Sequence, residues 1–161
     1  MTGILDRALS WRGHAVLALP ARLYLGFVFI YACVHKIADP GGFALDVATY
    51  QLLPLQLVNI TALILPWVEL FAGVMIVIGL RTRAAAFLIT GMMLVFMVAL
   101  GWALHQDLDM SCGCFASSSE HDPISSLTML RDAGWLALAV YVLVFDRVPL
   151  GLDRLLARRR G

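Results

Sequence analysis

Four long runs of apolar residues divide the chain, and short polar stretches separate them. The runs cover about residues 14–34, 57–79, 84–104 and 127–145, and each is close to the roughly 20 residues that a helix needs to cross a bilayer core. A helix satisfies its own backbone hydrogen bonds inside a membrane. The pattern therefore predicts an all-α, polytopic membrane protein with a bundle of four transmembrane helices in a single domain, residues 1–161.

A shorter segment with a helical pattern follows the first run. Asp39 is a typical N-cap residue, and Pro40 suits the first position of a helix. Phe43 and Tyr50 are spaced to lie on one helical face. Residues 40–53 are therefore predicted to form a short amphipathic helix at the membrane interface.

Composition agrees with a membrane protein. Hydrophobic residues make up 61% of the chain and charged residues 14%, with a mean hydropathy of +0.85, whereas soluble domains are roughly 45–50% apolar. The formal net charge is +1, and nothing in the sequence indicates a nucleic-acid partner. The lipid bilayer is the expected surrounding.

Basic residues are concentrated on one side of the predicted spans. Of the twelve Lys and Arg residues, only Lys36 and Arg131 fall on the other side. Because cytoplasmic segments are enriched in Lys and Arg, both termini are predicted to be cytoplasmic and the loop of residues 105–126 extracytoplasmic. The expected location is a bacterial inner membrane, which the chain crosses several times.

The loop of residues 105–126 carries Cys112 and Cys114 on either side of Gly113. Outside the cytoplasm a disulfide can persist, and cysteines two positions apart can meet the Cα separation of roughly 4.4–6.8 Å that a disulfide requires. Such a ring is strained, and because it closes a very short loop it adds little stability. We therefore predict a labile bond that serves as a thiol–disulfide exchange site.

Other residues are candidates to support this site. His35, Lys36 and Arg131 are predicted near the same membrane face, where a positive charge would favour a thiolate. Cys33, at the outer end of the first span, is a candidate to resolve a mixed disulfide or to relay electrons toward the membrane. The alternative for Cys33 is a small, buried apolar side chain.

The Cys112–Cys114 pair also has alternative interpretations. It can be a structural disulfide or a pair of buried thiols. Two thiolates with a histidine would also suit a soft metal such as Cu(I) or Zn. The spacing differs from the usual C-x-x-C zinc pattern, so metal binding ranks below redox chemistry.

Arg22 and Glu69 lie inside predicted spans, where ionisable groups are costly and often functional. Counting about 1.5 Å per residue from the cytoplasmic ends puts Arg22 about 10 Å deep and Glu69 about 16 Å deep. A buried Arg22–Glu69 pair is therefore predicted to fix the packing of the first two spans. The functional alternative is that Glu69 handles protons when a quinone is reduced or oxidised.

An ordered set of short motifs points to a known family. The set comprises Arg22 with Gly26 and Phe29, HKIADP at 35–40 with Phe43, YQLLP at 50–54, LPWVEL at 65–70 with Gly73, GLRTR at 79–83, CGCF at 112–115, and Pro123-Ile124 leading to LRD at 130–132. Over about residues 20–145 the chain thus resembles the MauE/DoxX family of small, four-helix, redox-associated membrane proteins. Ala116 departs from the MauE-like pattern, which commonly has glycine there.

The resemblance implies a redox setting. MauE-like members are associated with maturation of methylamine dehydrogenase, an exported enzyme with many disulfides, and DoxX-like and DoxD-like members with thiosulfate oxidation coupled to quinone or with thiol stress. Our leading hypothesis is a membrane thiol–disulfide redox protein that exchanges with a periplasmic thioredoxin-like or client protein, with quinone as a candidate cofactor. The alternatives are a non-catalytic membrane subunit or assembly factor for an oxidoreductase, and a soft-metal binding protein.

Overall fold

The computed structural model describes residues 14–106 and 126–146, and every regular element within these ranges is a helix. Four of these helices are long and apolar enough to cross a membrane, which confirms the prediction of an all-α, multi-pass membrane protein. The fifth is the short helix after the first span. In chain order the helices are α1 (His14–Ala38), α2 (Pro40–Thr49), α3 (Leu55–Ile78), α4 (Thr82–His105) and α5 (Ser126–Phe145).

The four long helices form a bundle in which each helix packs against the next one in the chain, and the last packs against the first. Helix α1 packs most extensively against α3 and α4 against α5, while further contacts join α3 to α4 and α1 to α5. Helix α2 lies mainly against α3 and also contacts α1. Consecutive long helices run in opposite directions, as in an up-down bundle. We call the end where α1 meets α2 the α2 end, and the end with the first and last described residues the termini end.

The start of α2 is as predicted, and its end is earlier than predicted. The Asp39 carboxylate accepts a hydrogen bond of 2.9 Å from the Gly42 N–H, and Pro40 occupies the first turn. The helix ends at Thr49 rather than at residue 53, because Gln51 has a φ of 53°. This left-handed backbone conformation interrupts a right-handed helix.

Two glycines bring α1 and α3 close together. A Cβ atom added at Gly26 would collide with Val77 and Ile76 and lie 3.0 Å from the Gly73 carbonyl oxygen. A Cβ atom added at Gly73 would lie 3.0 Å from Cγ1 of Ile30. Small residues at such a crossing let helix backbones approach inside a membrane, and this contact sets the register between the two helices.

The packed apolar core occupies the half of the bundle nearer the termini end. All four long helices contribute buried side chains to it, and the largest group comes from the first half of α4. The half nearer the α2 end is different, because the helices there surround a cavity that is open on one side. Representative core residues are Leu25, Phe29, Ile76, Ile89 and Val142.

Candidate functional site

A cavity of about 540 Å³ lies in the half of the bundle nearer the α2 end. All five helices of the described ranges contribute to its wall, which is mostly apolar. This volume falls within the roughly 300–1,000 Å³ typical of small-molecule sites. The ionisable side chains in the wall are Lys36, Asp46, Tyr50, Glu69 and Asp132.

The cavity opens onto the apolar flank of the bundle. Its wall includes Phe87 and Val95 of α4, which are 67% and 72% exposed, and Leu52, which is 44% exposed. Large apolar side chains on the outside of a transmembrane bundle face lipid rather than water. The cavity is therefore accessible to a molecule that is dissolved in the bilayer.

Lys36 and Glu69 form an ion pair in the cavity wall. The Lys36 Nζ atom lies 3.0 Å from Oε1 and 2.9 Å from Oε2 of Glu69, and the two side chains are only 8% and 12% exposed. The same ammonium lies 5.0 Å from the centroid of the Phe43 ring, a cation–π contact. Helices α1, α2 and α3 thus meet at this one cation.

The predicted Arg22–Glu69 pair is wrong. Nη1 of Arg22 instead lies 3.3 Å from Oδ2 of Asp146, and both side chains are buried. The register at Gly26 and Gly73 explains the difference. Arg22 lies four residues from Gly26 toward the termini end and Glu69 four residues from Gly73 toward the α2 end, so they are about 12 Å apart along the bundle axis.

Side-chain direction explains why Lys36 is the partner of Glu69. Helical side chains lean toward the N-terminus of their own helix. For Lys36, near the end of α1, this direction leads from the α2 end toward the bundle interior. Lys36, which the sequence places at the membrane face, therefore reaches Glu69 inside the second span.

Asp132 is a site residue that the sequence reasoning missed. It lies in the cavity wall and is 1% exposed. Its Oδ1 atom accepts a hydrogen bond of 3.2 Å from Nε of Arg131, but its Oδ2 atom is buried without a hydrogen-bond partner among the described residues. The available signal was an acidic residue within a predicted span.

Helix α2 and the residue after it contribute two more groups to the wall, Asp46 and Tyr50. Burial raises the pKa of the Asp46 carboxyl above its ordinary value, opposed by nearby His35 and Lys36 and reinforced by Asp39. Burial also raises the pKa of the Tyr50 phenol, and the charges of Asp46 and Asp132 add to this. Tyr50 therefore remains a neutral hydroxyl at physiological pH.

The predicted thiol site falls only partly within the described residues. Cys112 and Cys114 lie outside them, in the segment that joins His105 of α4 to Ser126 of α5. Both of these helix ends are at the α2 end of the bundle. The exchange chemistry of the two cysteines stays a prediction.

Cys33 is a free thiol within α1, and it is fully buried. Its Sγ atom donates to the Ile30 carbonyl oxygen at 3.1 Å, so its surroundings fit a small, buried side chain. A relay from Cys33 to Cys112 or Cys114 stays a prediction, because both partners lie outside the described residues.

The residues predicted to favour a thiolate have different surroundings. His35 is half-buried, and Lys36 faces Glu69 inside the bundle. The Arg131 guanidinium lies on the side of α5, 4.9 Å from the centroid of the Trp135 ring. Their action on Cys112 and Cys114 stays a prediction.

The soft-metal alternative also depends on Cys112 and Cys114. Within residues 14–106 and 126–146, no three His, Cys, Asp or Glu side chains are grouped as a metal site requires. Both proposed thiolate ligands lie outside these ranges.

Comparison with known proteins finds matches to one protein family. The family model of methylamine utilisation protein MauE matches residues 14–145. The methylamine utilization protein MauE of Paracoccus denitrificans is 30% identical over 122 residues, which cover 75% of this chain and 65% of that protein. The protein of the same name from Methylophilus methylotrophus is 26% identical over 126 residues, which cover 78% and 66%.

The chain therefore spans slightly less than two thirds of the length of these two relatives. No solved structure matches it. The resemblance to DoxX-like proteins stays a prediction.

Proposed function

The chain belongs to the MauE family of methylamine utilisation proteins, and we propose that it is a membrane thiol–disulfide redox protein. Its proposed role is to support the maturation of an exported protein of the methylamine dehydrogenase type. The observation that carries this proposal is the pair of Cys112 and Cys114 around a single glycine, in a polar segment between two apolar helices.

The proposed chemistry is the transfer of a disulfide to a client. A client thiolate attacks the Cys112–Cys114 bond and forms a mixed disulfide, and a second client thiol then resolves it. The client loses two electrons and two protons as its disulfide forms, and Cys112 and Cys114 gain them as two thiols. Strain in the short ring would make the Cys112–Cys114 bond a stronger oxidant than the unstrained disulfide that forms in the client.

The proposed location is a bacterial inner membrane, with the termini in the cytoplasm and the Cys112–Cys114 segment outside. The asymmetric distribution of Lys and Arg supports this orientation. An extracytoplasmic position gives the pair both an oxidising compartment and direct access to exported clients, including a thioredoxin-like partner.

The second candidate function is a non-catalytic membrane subunit or assembly factor for an oxidoreductase. The surroundings of Cys33 favour it, because this thiol is fully buried and bonded to the backbone of its own helix. A bundle that anchors a partner needs no sulfur relay, and the Cys112–Cys114 pair would then only hold its loop together.

A trapping experiment separates the two functions. Cys112→Ser and Cys114→Ser are each expressed in a strain that makes the methylamine-dehydrogenase-type client. Acid quenching then protonates the thiolates and stops further exchange. In each variant the remaining thiolate can attack the disulfide of an oxidised exported client, which is the reverse of the transfer step. One variant is expected to accumulate the resulting reductant-sensitive mixed disulfide, while the double variant accumulates none. Cys33→Ser is the matched control, because it removes a thiol but leaves the exchange pair intact.

The scaffold function predicts a different result. Neither single variant would form an adduct, and the client would mature normally in both. That combination would exclude exchange through Cys112 and Cys114.

A further inference from the structure

Asp132 places an unsatisfied hydrogen-bond acceptor in the cavity wall. Its Oδ2 atom has no hydrogen-bond partner among the described residues, and the residue is only 1% exposed, so water does not reach this oxygen either. Buried polar atoms are nearly always paired, because an unpaired one loses its hydration without compensation. A rotation of the Asp132 side chain would turn this oxygen toward the cavity, where a ligand with a hydrogen-bond donor, such as a hydroxyl group, would pair with it.

Lys36 places a donor in the same wall. An ammonium group has three N–H donors, and the two short contacts with Glu69 account for two of them. The remaining N–H can be given to a carbonyl oxygen of a ligand. The pairing with Glu69 and the contact with the Phe43 ring hold the ammonium in position.

The rest of the wall suits a flat, apolar ring. Phe29, Phe96 and Trp135 supply aromatic faces, and Met92 and Met93 supply thioethers, which pack well against rings. The opening past Phe87 and Val95 leads to the lipid-facing surface rather than to water. A ligand with a polar ring and a long apolar tail fits these surroundings.

A lipid acyl chain alone fits them less well. It would fill the apolar space but would offer neither a donor to Asp132 nor an acceptor to Lys36. A quinone presents carbonyl acceptors, and its reduced form, a quinol, presents hydroxyl donors. The wall contains a matching group for each form.

We propose that this cavity is the binding site for an isoprenoid quinone, with Lys36 and Asp132 at the head group and the tail leaving past Phe87 and Val95. The role of the bound quinone rests on the proposed thiol–disulfide function. Re-formation of the Cys112–Cys114 disulfide releases two electrons and two protons, and reduction of the quinone to the quinol consumes both. The segment that carries the two cysteines joins α4 and α5 at the α2 end, where the ionisable part of the wall lies.

Two glycines provide a matched pair of variants. Gly91 lies in the cavity wall, Gly134 does not, and a Cβ atom added at either position meets nothing within 4 Å. Gly91→Leu therefore adds an isobutyl group at the cavity wall from a Cβ position that is open, and Gly134→Leu makes the same change on the side of α5. Any general effect of a larger side chain in a transmembrane helix appears in both.

The test is the binding of ubiquinone-2 to the purified full chain in phosphatidylcholine nanodiscs. Nanodiscs without the protein measure how much ubiquinone-2 partitions into the lipid alone. The unsubstituted chain and Gly134→Leu are expected to show saturable binding above this background, and Gly91→Leu to bind at least about tenfold more weakly, a difference of about 1.4 kcal/mol. Binding that never saturates would show only partition of ubiquinone-2 into lipid, and equal binding in the two leucine variants would place its site outside the cavity. Either result would overturn the inference.

The trapping experiment on Cys112→Ser and Cys114→Ser keeps this inference separate from the proposed function. A mixed disulfide without saturable ubiquinone-2 binding would overturn the quinone site alone. Saturable binding that Gly91→Leu weakens, without any mixed disulfide, would support the quinone site and remove the exchange function.

Discussion

Lys36 of α1 and Glu69 of α3 face each other across the wall of the cavity, with the lysine Nζ atom 2.9 Å from the nearer carboxylate oxygen. Both groups lie within apolar spans, where an unpaired charge is costly. The pair therefore does two things. It ties α1 to α3 near the α2 end, and it keeps a cation and an acid beside the cavity.

The first prediction concerns this pair. Glu69→Gln and Lys36→Met each leave one buried charge without its partner and are expected to destabilise the bundle by up to about 3–5 kcal/mol. The double variant should recover most of this loss, because it buries no charge. Thermal unfolding in detergent, followed by cysteine accessibility or circular dichroism, measures the change. A double variant as unstable as the sum of the singles would show that the pair contributes no coupling.

The second prediction tests the partner of Arg22. In a double-mutant cycle, Arg22→Met and Asp146→Asn should show an interaction energy of roughly 0.5–3 kcal/mol, because their side chains are in contact. The matched cycle of Arg22→Met with Glu69→Gln should be additive within about 0.5 kcal/mol. Strong coupling in the second cycle and none in the first would restore the Arg22–Glu69 pair and contradict the register described above.

The third prediction concerns the contact between α1 and α3. Gly26→Ala should lower the melting temperature, since the new methyl group meets Val77, Ile76 and the Gly73 carbonyl oxygen. Gly91→Ala should leave it unchanged or raise it, because the position is open and alanine is favoured over glycine in a helix by about 1 kcal/mol. Equal effects of the two substitutions would mean that α1 and α3 are not in close contact at Gly26.

Much of the fold follows from local sequence signals. The four spans follow from the length of the apolar runs, and the start of α2 follows from Asp39 and Pro40. These signals act within one segment, so they need no knowledge of the neighbouring helices. The predicted end of α2 is too late, because the left-handed conformation of Gln51 has no clear signal in the residue itself.

The partners of the charged residues did not follow from the sequence. Counting depth from the end of each span places Arg22 and Glu69 at similar levels, but it assumes a register between the helices. The actual register depends on how Gly26 and Gly73 fit together. Depth counting also treats Lys36 as a surface residue, because it follows the backbone and ignores the direction of a long side chain.

Asp132 was missed for a related reason. Two charged residues at the start of α5 are an ordinary feature of a helix near a membrane face. Only the packing of the five helices shows that Arg131 is on the outside and Asp132 in the cavity wall. For Cys112 and Cys114 the sequence remains the source of the hypothesis.

The central claim is that Cys112 and Cys114 form an exchange site, and their redox potential tests it most directly. The full chain with Cys33→Ser is equilibrated in glutathione buffers, and the two remaining thiols are counted by alkylation and mass spectrometry. We predict a potential between about −120 and −200 mV, the range of oxidising catalysts. A potential below about −300 mV, typical of structural disulfides, would contradict the claim.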